Sequence, residues 1–146
     1  MLVGGKTVCR PGRTVRAAVV RGRRAMPARE QLFADIDSME PERFAAHLST
    51  DVTMCFGNAD PIRGRDAVRE AWAAFCQDLN GVKHDLIEQW TIDATTIVEA
   101  RVTYTRRDDS QVSVPVTTIY RERAGEIDDY RIYIDLAPLF AGQAPA

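Results

Sequence analysis

The last third of the chain constrains the fold most. Four β-patterned segments follow one another there, at 82–92, 96–106, 111–123 and 126–136. Only short polar connections separate them, at 93–95, 107–110 and 124–125, so the segments are expected to form an antiparallel meander. Such a sheet has an apolar face that something else in the chain must cover.

The residues before it supply helices. Leu32, Phe33, Ile36 and Met39 fall at helical spacing, and Pro41 opens a second helix with Phe44 and Leu48 on its inner face. Residues 51–56 read as a strand, and Gly57-Asn58-Ala59-Asp60-Pro61 is turn chemistry. The third helix has the clearest pattern: Val68, Trp72, Phe75 and Leu79 share one stripe, Asp66 lies at its start and Asn80-Gly81 closes it. Two helices, a strand, a third helix and a meander predict an α+β fold with helices on one face of a bent sheet.

At 146 residues, 45% hydrophobic and 27% charged, the chain is expected to form one globular core. No apolar run reaches membrane-spanning length. Cys9, Cys55 and Cys76 lack the spacing of a disulfide framework or a zinc site, so neither metal nor cofactor is expected and a reducing cytoplasm is the expected compartment. Charge is uneven: seven basic residues and no acid lie in 1–25, leaving 12 basic against 21 acidic residues elsewhere. Residues 1–25 are therefore expected to be a flexible basic extension, and the acidic remainder argues against nucleic acid as a partner.

Gly64-Arg65-Asp66-Ala67-Val68, Lys83-His84, Glu99-Ala100-Arg101-Val102 and Arg131-Ile132-Tyr133-Ile134-Asp135 occur in an order and spacing that resembles the SnoaL-like branch of the nuclear transport factor 2-like superfamily, across residues 28–140. The resemblance implies a cone-shaped α+β domain over 26–140 with a tail at 141–146. In it, a curved antiparallel sheet wraps three N-terminal helices, encloses a mostly apolar cavity and mediates homodimerisation. Relatives include polyketide cyclases, limonene epoxide hydrolase, ketosteroid isomerase and scytalone dehydratase.

Catalytic residues of those relatives are mostly missing here. The aspartate that cyclases and the epoxide hydrolase carry after the last-strand arginine reads Ile132. The epoxide hydrolase's Arg-x-Asp pair reads Arg101-Val102-Thr103, and its first-strand polar pair falls near Met54 and Phe56. Epoxide hydrolysis of that type is not expected. His84 resembles a histidine that some dehydratases use as an acid/base, with Asp85, Glu88 or Glu99 as its candidate carboxylate.

Arg101 alternates with Glu99 and Thr103 on one side of its strand, opposite Val98, Ala100, Val102 and Tyr104. Amphipathicity alone turns the valine side inward. The resemblance instead turns Arg101 and Thr103 into the cavity and leaves the valine side, with Pro115, Thr117 and Ile119, for a second subunit. On that reading Met54, Phe56, Val114, Val116 and Thr118 line the cavity with Ile132 and Ile134, and Arg101 is its polar anchor. Asp135 then points away and serves as a structural partner for a neighbouring strand or subunit, and His47 lies on the surface. Three functions stay open: capture of a small apolar or polycyclic ligand, an isomerase, dehydratase or cyclase using His84, and a non-catalytic dimeric partner-binding module.

Overall fold

The computed structural model describes residues 27–142, so the basic extension expected at 1–25, and Cys9 within it, lie outside the described residues. In chain order the elements are α1 (Pro27–Asp37), α2 (Pro41–Ala45), β1 (Leu48–Phe56), β2 (Ile62–Arg63), α3 (Arg65–Cys76), β3 (Leu79–Ile92), β4 (Thr95–Arg106), β5 (Gln111–Arg123), β6 (Glu126–Ile134) and α4 (Ala137–Phe140). The six strands form one sheet in the order β2-β1-β6-β5-β4-β3. β3 to β6 are the expected antiparallel meander, with Val102 facing both His84 and Val114.

The sheet is mixed rather than wholly antiparallel. β1 lies parallel to β6, pairing Met54 with Tyr130 and Phe56 with Ile132. A parallel pair needs a long crossover, and the segment from β2 through β5 provides it. Register shifts at Leu86/Glu88, Arg121/Glu122 and Leu48/Thr53 bend the strands as bulges do, and the sheet curls around α1, α2 and α3.

Element ends moved where tertiary pairing competes with local pattern. Leu48, expected on the second helix, begins β1 and is fully buried, because α2 stops at Ala45. Leu79 to Gly81, expected to close the third helix, already pair with β4. Ile62–Arg63, just after the expected turn, forms a short edge strand against Thr53 and Met54 that the sequence reading did not include. Gly57 turns the chain after β1 with φ +56°, a conformation that glycine adopts without steric cost, and its N–H donates to the Ile132 carbonyl at 3.0 Å.

The faces of β4 correct the dimer reading. Val98, Ala100, Val102 and Tyr104 are buried within the one chain, against the helices, while Glu99 and Arg101 are exposed. Pro115, Thr117 and Ile119 stand opposite Arg101, Glu99 and Ile97, so they share the outer face and not the valine face. Simple amphipathicity decided the matter: three helices leave enough apolar surface to cover the valine side internally. Among the described residues no helix is long and apolar enough to cross a membrane.

Candidate functional site

The inner faces of the strands and the helices above them line a pocket of about 110 Å³. β1 contributes Met54 and Phe56, β5 Val116 and Thr118, and β6 Tyr130 and Ile132. Ile36, Phe44, Trp72 and Phe75 close it from the helices. Trp72 and Phe75 stack at 5.6 Å, Phe44 meets Trp72 edge-on, and Phe56 and Tyr104 meet Phe75 edge-on. This aromatic string fixes the roof through offset and T-shaped contacts. Two wider grooves lie beside Arg106-Arg107 and beside Lys83 on the outer face; the pocket among the helices and the inner strand faces is the strongly apolar one.

His84 is its most chemically capable side chain. Position 84 lies on the inward parity of β3, opposite the fully buried Val102. Nδ1 lies 2.6 Å from Asp37 Oδ1, and the His84 backbone N–H donates to Asp37 Oδ2 at 2.9 Å. The two side chains are 10% and 23% exposed, and Phe33 tilts over the imidazole at 5.2 Å. With its carboxylate accepting from both the backbone and Nδ1–H, Asp37 sets the tautomer and the ring angle. Nε2 makes no hydrogen bond to a described residue, and His84 lines the cavity. Asp37, the last residue of α1, went unseen in the sequence because 47 positions separate it from His84. The candidate carboxylates on the strands, Asp85, Glu88 and Glu99, are all exposed.

Other polar groups of the lining are hydroxyls and the Trp72 indole Nε1–H, which is buried without a partner among the described residues. Burial, reinforced by the Asp37 charge, pushes the Tyr104 phenol well above its ordinary value. Burial does the same to Tyr130, with the neighbouring Thr118 hydroxyl pulling slightly the other way. Both tyrosines therefore stay neutral O–H donors at ordinary pH. Burial also pushes the Cys76 thiol up to about 11, the opposite of a reactive cysteine.

Of the residues expected to line the cavity, Met54, Phe56, Val116, Thr118 and Ile132 do so, together with His84. Val114 is buried and Ile134 half-buried in the adjoining apolar cluster, outside the cavity wall. Arg101 and Thr103 are not in the pocket. Arg101 is exposed with Nη1 3.5 Å from the Ser113 carbonyl, and Thr103 bonds the Ser113 hydroxyl on the same outer face. A guanidinium inside would be a buried charge without a partner, and the outward parity of 99, 101 and 103 avoids that cost.

Asp135 is exposed outside the cavity, as parity required, and accepts the Ala137 backbone N–H at 2.9 Å, a local bond two residues on in place of the expected partner on another strand. His47, expected on the surface, is half-buried with Nε2 2.7 Å from Asp35 Oδ2. No group of three or more His, Cys, Asp or Glu among the described residues is arranged to hold a metal.

Solved structures with this architecture are numerous and distant in sequence. A protein with a ketosteroid isomerase-like fold from Catenulispora acidiphila, in complex with trimethylamine, is 18% identical over 77% of this chain and 88% of its own, with TM-score 0.70. A protein described as a SnoaL-like polyketide cyclase, from Jannaschia, is 16% identical over 86% of this chain and 100% of its own, with TM-score 0.69. An LEH-like epoxide hydrolase of M. tuberculosis is 18% identical over 77% and 84%, with TM-score 0.66. No curated protein matches the sequence. At these identities the likeness establishes the fold, and the family follows from the sequence match: residues 30–130 fit the SnoaL-like domain, and the chain belongs to that family.

Proposed function

We propose that the cavity is an acid–base site in which His84, oriented by Asp37, moves a proton on a compact bound molecule, making the protein a cofactor-independent isomerase, lyase or cyclase. One observation carries this reading: a histidine only 10% exposed, 2.6 Å from a carboxylate and on the wall of an apolar cavity. A histidine serving only to fill the sheet needs no carboxylate on both its ring and its backbone. In neutral imidazole, Nδ1–H bound to Asp37 leaves the Nε2 lone pair as base, and the imidazolium formed on proton uptake is stabilised by the same carboxylate. An apolar surround strengthens that interaction by excluding water.

Cavity size sets the ligand class. About 110 Å³ is below the roughly 150 Å³ of an engineered cavity that holds benzene, so a polycyclic ligand requires Trp72 or Phe75 to swing aside. Epoxide opening of the limonene type has no support, since Thr103 faces outward and Ile132 supplies no carboxylate. We also propose a homodimer through the outer face of the sheet, where Ile97 pairs with Ile119 and the 55% exposed Tyr133 lies nearby. Free Cys55 and Cys76 suit a reducing cytoplasm.

The test is carbon deuteration in D₂O. A panel of compact carbon acids is incubated with the protein and followed by NMR. Wild type is expected to accelerate exchange of at least one compound over buffer, His84→Gln to abolish the acceleration, and Asp37→Asn to reduce it. Compounds that bind in the cavity without faster exchange would leave a binding protein and end the catalytic reading.

A further inference from the structure

One donor in the pocket wall has nothing to bond. The indole Nε1–H of Trp72 is buried and makes no hydrogen bond among the described residues, and Trp72 lines the pocket. Buried polar groups nearly always have a partner, and a tryptophan N–H left without one is costly. Arg69 and Arg131 also bury an Nε without a hydrogen bond, but each guanidinium stands beside an acid, Glu42 at 3.5 Å and Asp129 at 3.1 Å. Tyr130, in the same pocket wall, has the Thr118 hydroxyl. If position 72 needed only apolar filling, a second phenylalanine beside Phe75 on α3 would supply it without burying a donor.

Packing holds that donor in place. Trp72 stacks on Phe75 at 5.6 Å and meets Phe44 edge-on at 6.0 Å, so turning the N–H out to solvent would break both contacts. Phe44 offers at most a weak N–H···π contact in return. Trp72 lies on α3, whereas His84 and Thr118 belong to the strand wall of the pocket. An indole nitrogen donates and cannot accept, so its complement is an acceptor atom. Charge narrows the class further. None of the described lining residues is Lys, Arg, Asp or Glu, so a charged ligand would lose its water without gaining a counter-charge in the wall.

We infer that Trp72 is a specificity residue of this pocket: its indole N–H bonds an uncharged ether- or ester-type oxygen of a compact ligand, at the helical wall and apart from the group on which His84 acts. This rests on the pocket being the ligand site proposed above. An all-apolar wall would reject that oxygen; this wall supplies its partner, and the bond offsets the cost of the buried donor. Phe44, Phe56 and Ile132 surround the apolar body of the molecule.

Tetrahydrofuran and cyclopentane, the same ring with and without the oxygen, are the probes, read by indole ¹H–¹⁵N spectra of the full chain and by affinity. The chain has two tryptophans, and Trp90→Phe assigns their signals. Tetrahydrofuran is expected to move the Trp72 indole proton downfield, as a donor does on forming a hydrogen bond, whereas cyclopentane should bind without that shift. Replacing Trp72 by 3-benzothienylalanine keeps the ring shape and puts sulfur in place of the N–H. This variant should bind tetrahydrofuran about tenfold more weakly, the worth of one hydrogen bond, and cyclopentane as wild type does. Pyrrolidine, a cation at neutral pH, should bind more weakly than tetrahydrofuran. Bound tetrahydrofuran with the Trp72 proton unmoved, equal weakening of both probes by the sulfur analogue, tighter binding of pyrrolidine, or no tetrahydrofuran binding by wild type would each overturn the inference. The two readings fail separately: a Trp72 bond to tetrahydrofuran without deuteration of any carbon acid ends the proton-transfer reading only, and deuteration with the Trp72 proton unmoved by bound tetrahydrofuran ends the Trp72 assignment only.

Discussion

The two faces of β4 share a backbone and differ in everything else. Inward, Val98, Ala100, Val102 and Tyr104 are nearly inaccessible, and beside them His84 is held by a carboxylate from a helix. Outward, Glu99 and Arg101 stand in water, with Glu88 opposite Glu99 and Asp85 opposite Arg101. The same residue types thus have different energetic weight according to strand parity. A polar group inside must be paired or aimed at a ligand, whereas one outside contributes little however many neighbours it has.

The sharpest way to break that contrast is to put a charge inside. Val102→Asp, at a position with no exposure, is expected to destabilise by about 4 kcal/mol or more, since an unpaired buried carboxylate is among the costliest single changes. Urea unfolding measures it, and a stable Val102→Asp protein would mean that the valine face is not the core. Removing the inner hydrogen-bonded pair comes next. Asp37→Asn is expected to cost about 1.5–3 kcal/mol, the value of a hydrogen bond to a charged partner; a melting temperature equal to wild type would make Asp37 an incidental neighbour of His84.

The outer face is tested by association. If Ile97, Ile119 and Tyr133 meet a second copy, Ile97→Lys should shift sedimentation from dimer to monomer while the fold is retained. A wild-type monomer at micromolar concentration would refute the dimer.

A smaller effect concerns the second histidine–aspartate pair. Burial pushes the Asp35 carboxyl up, but hydrogen bonds from His47 and Gln31 with the charges of His47 and Arg43 outweigh it and hold the group below its ordinary 3.8. A depressed carboxylate contributes stability that is present above 3.8 and lost as pH falls below it. Asp35→Asn should therefore be less stable than wild type at neutral pH, with the gap closing in acid. Denaturation at a series of pH values reads the gap, and a difference that stays constant into acid would show that the pair does not titrate in this way. Least of all should change with Arg101→Leu: less than about 0.5 kcal/mol by melting, as at other exposed sites, and a large loss would return Arg101 to the interior.

The meander and the three helical stripes were legible in residue order alone, because hairpin turns and apolar periodicity are local properties written within a few residues, and motif order carried the family resemblance. It also held the correct orientation of β4 in its valine alternation, which the analogy with catalytic relatives overrode. Ile132, Met54 and Phe56 were expected in the cavity from the family resemblance, and they line it. The rest came from the packing of distant segments. The parallel docking of β1 on β6 and the bond between Asp37 and His84 depend on chain segments far apart in sequence. Local pattern fixes which face a side chain takes, and only the packing of distant elements fixes what it meets there.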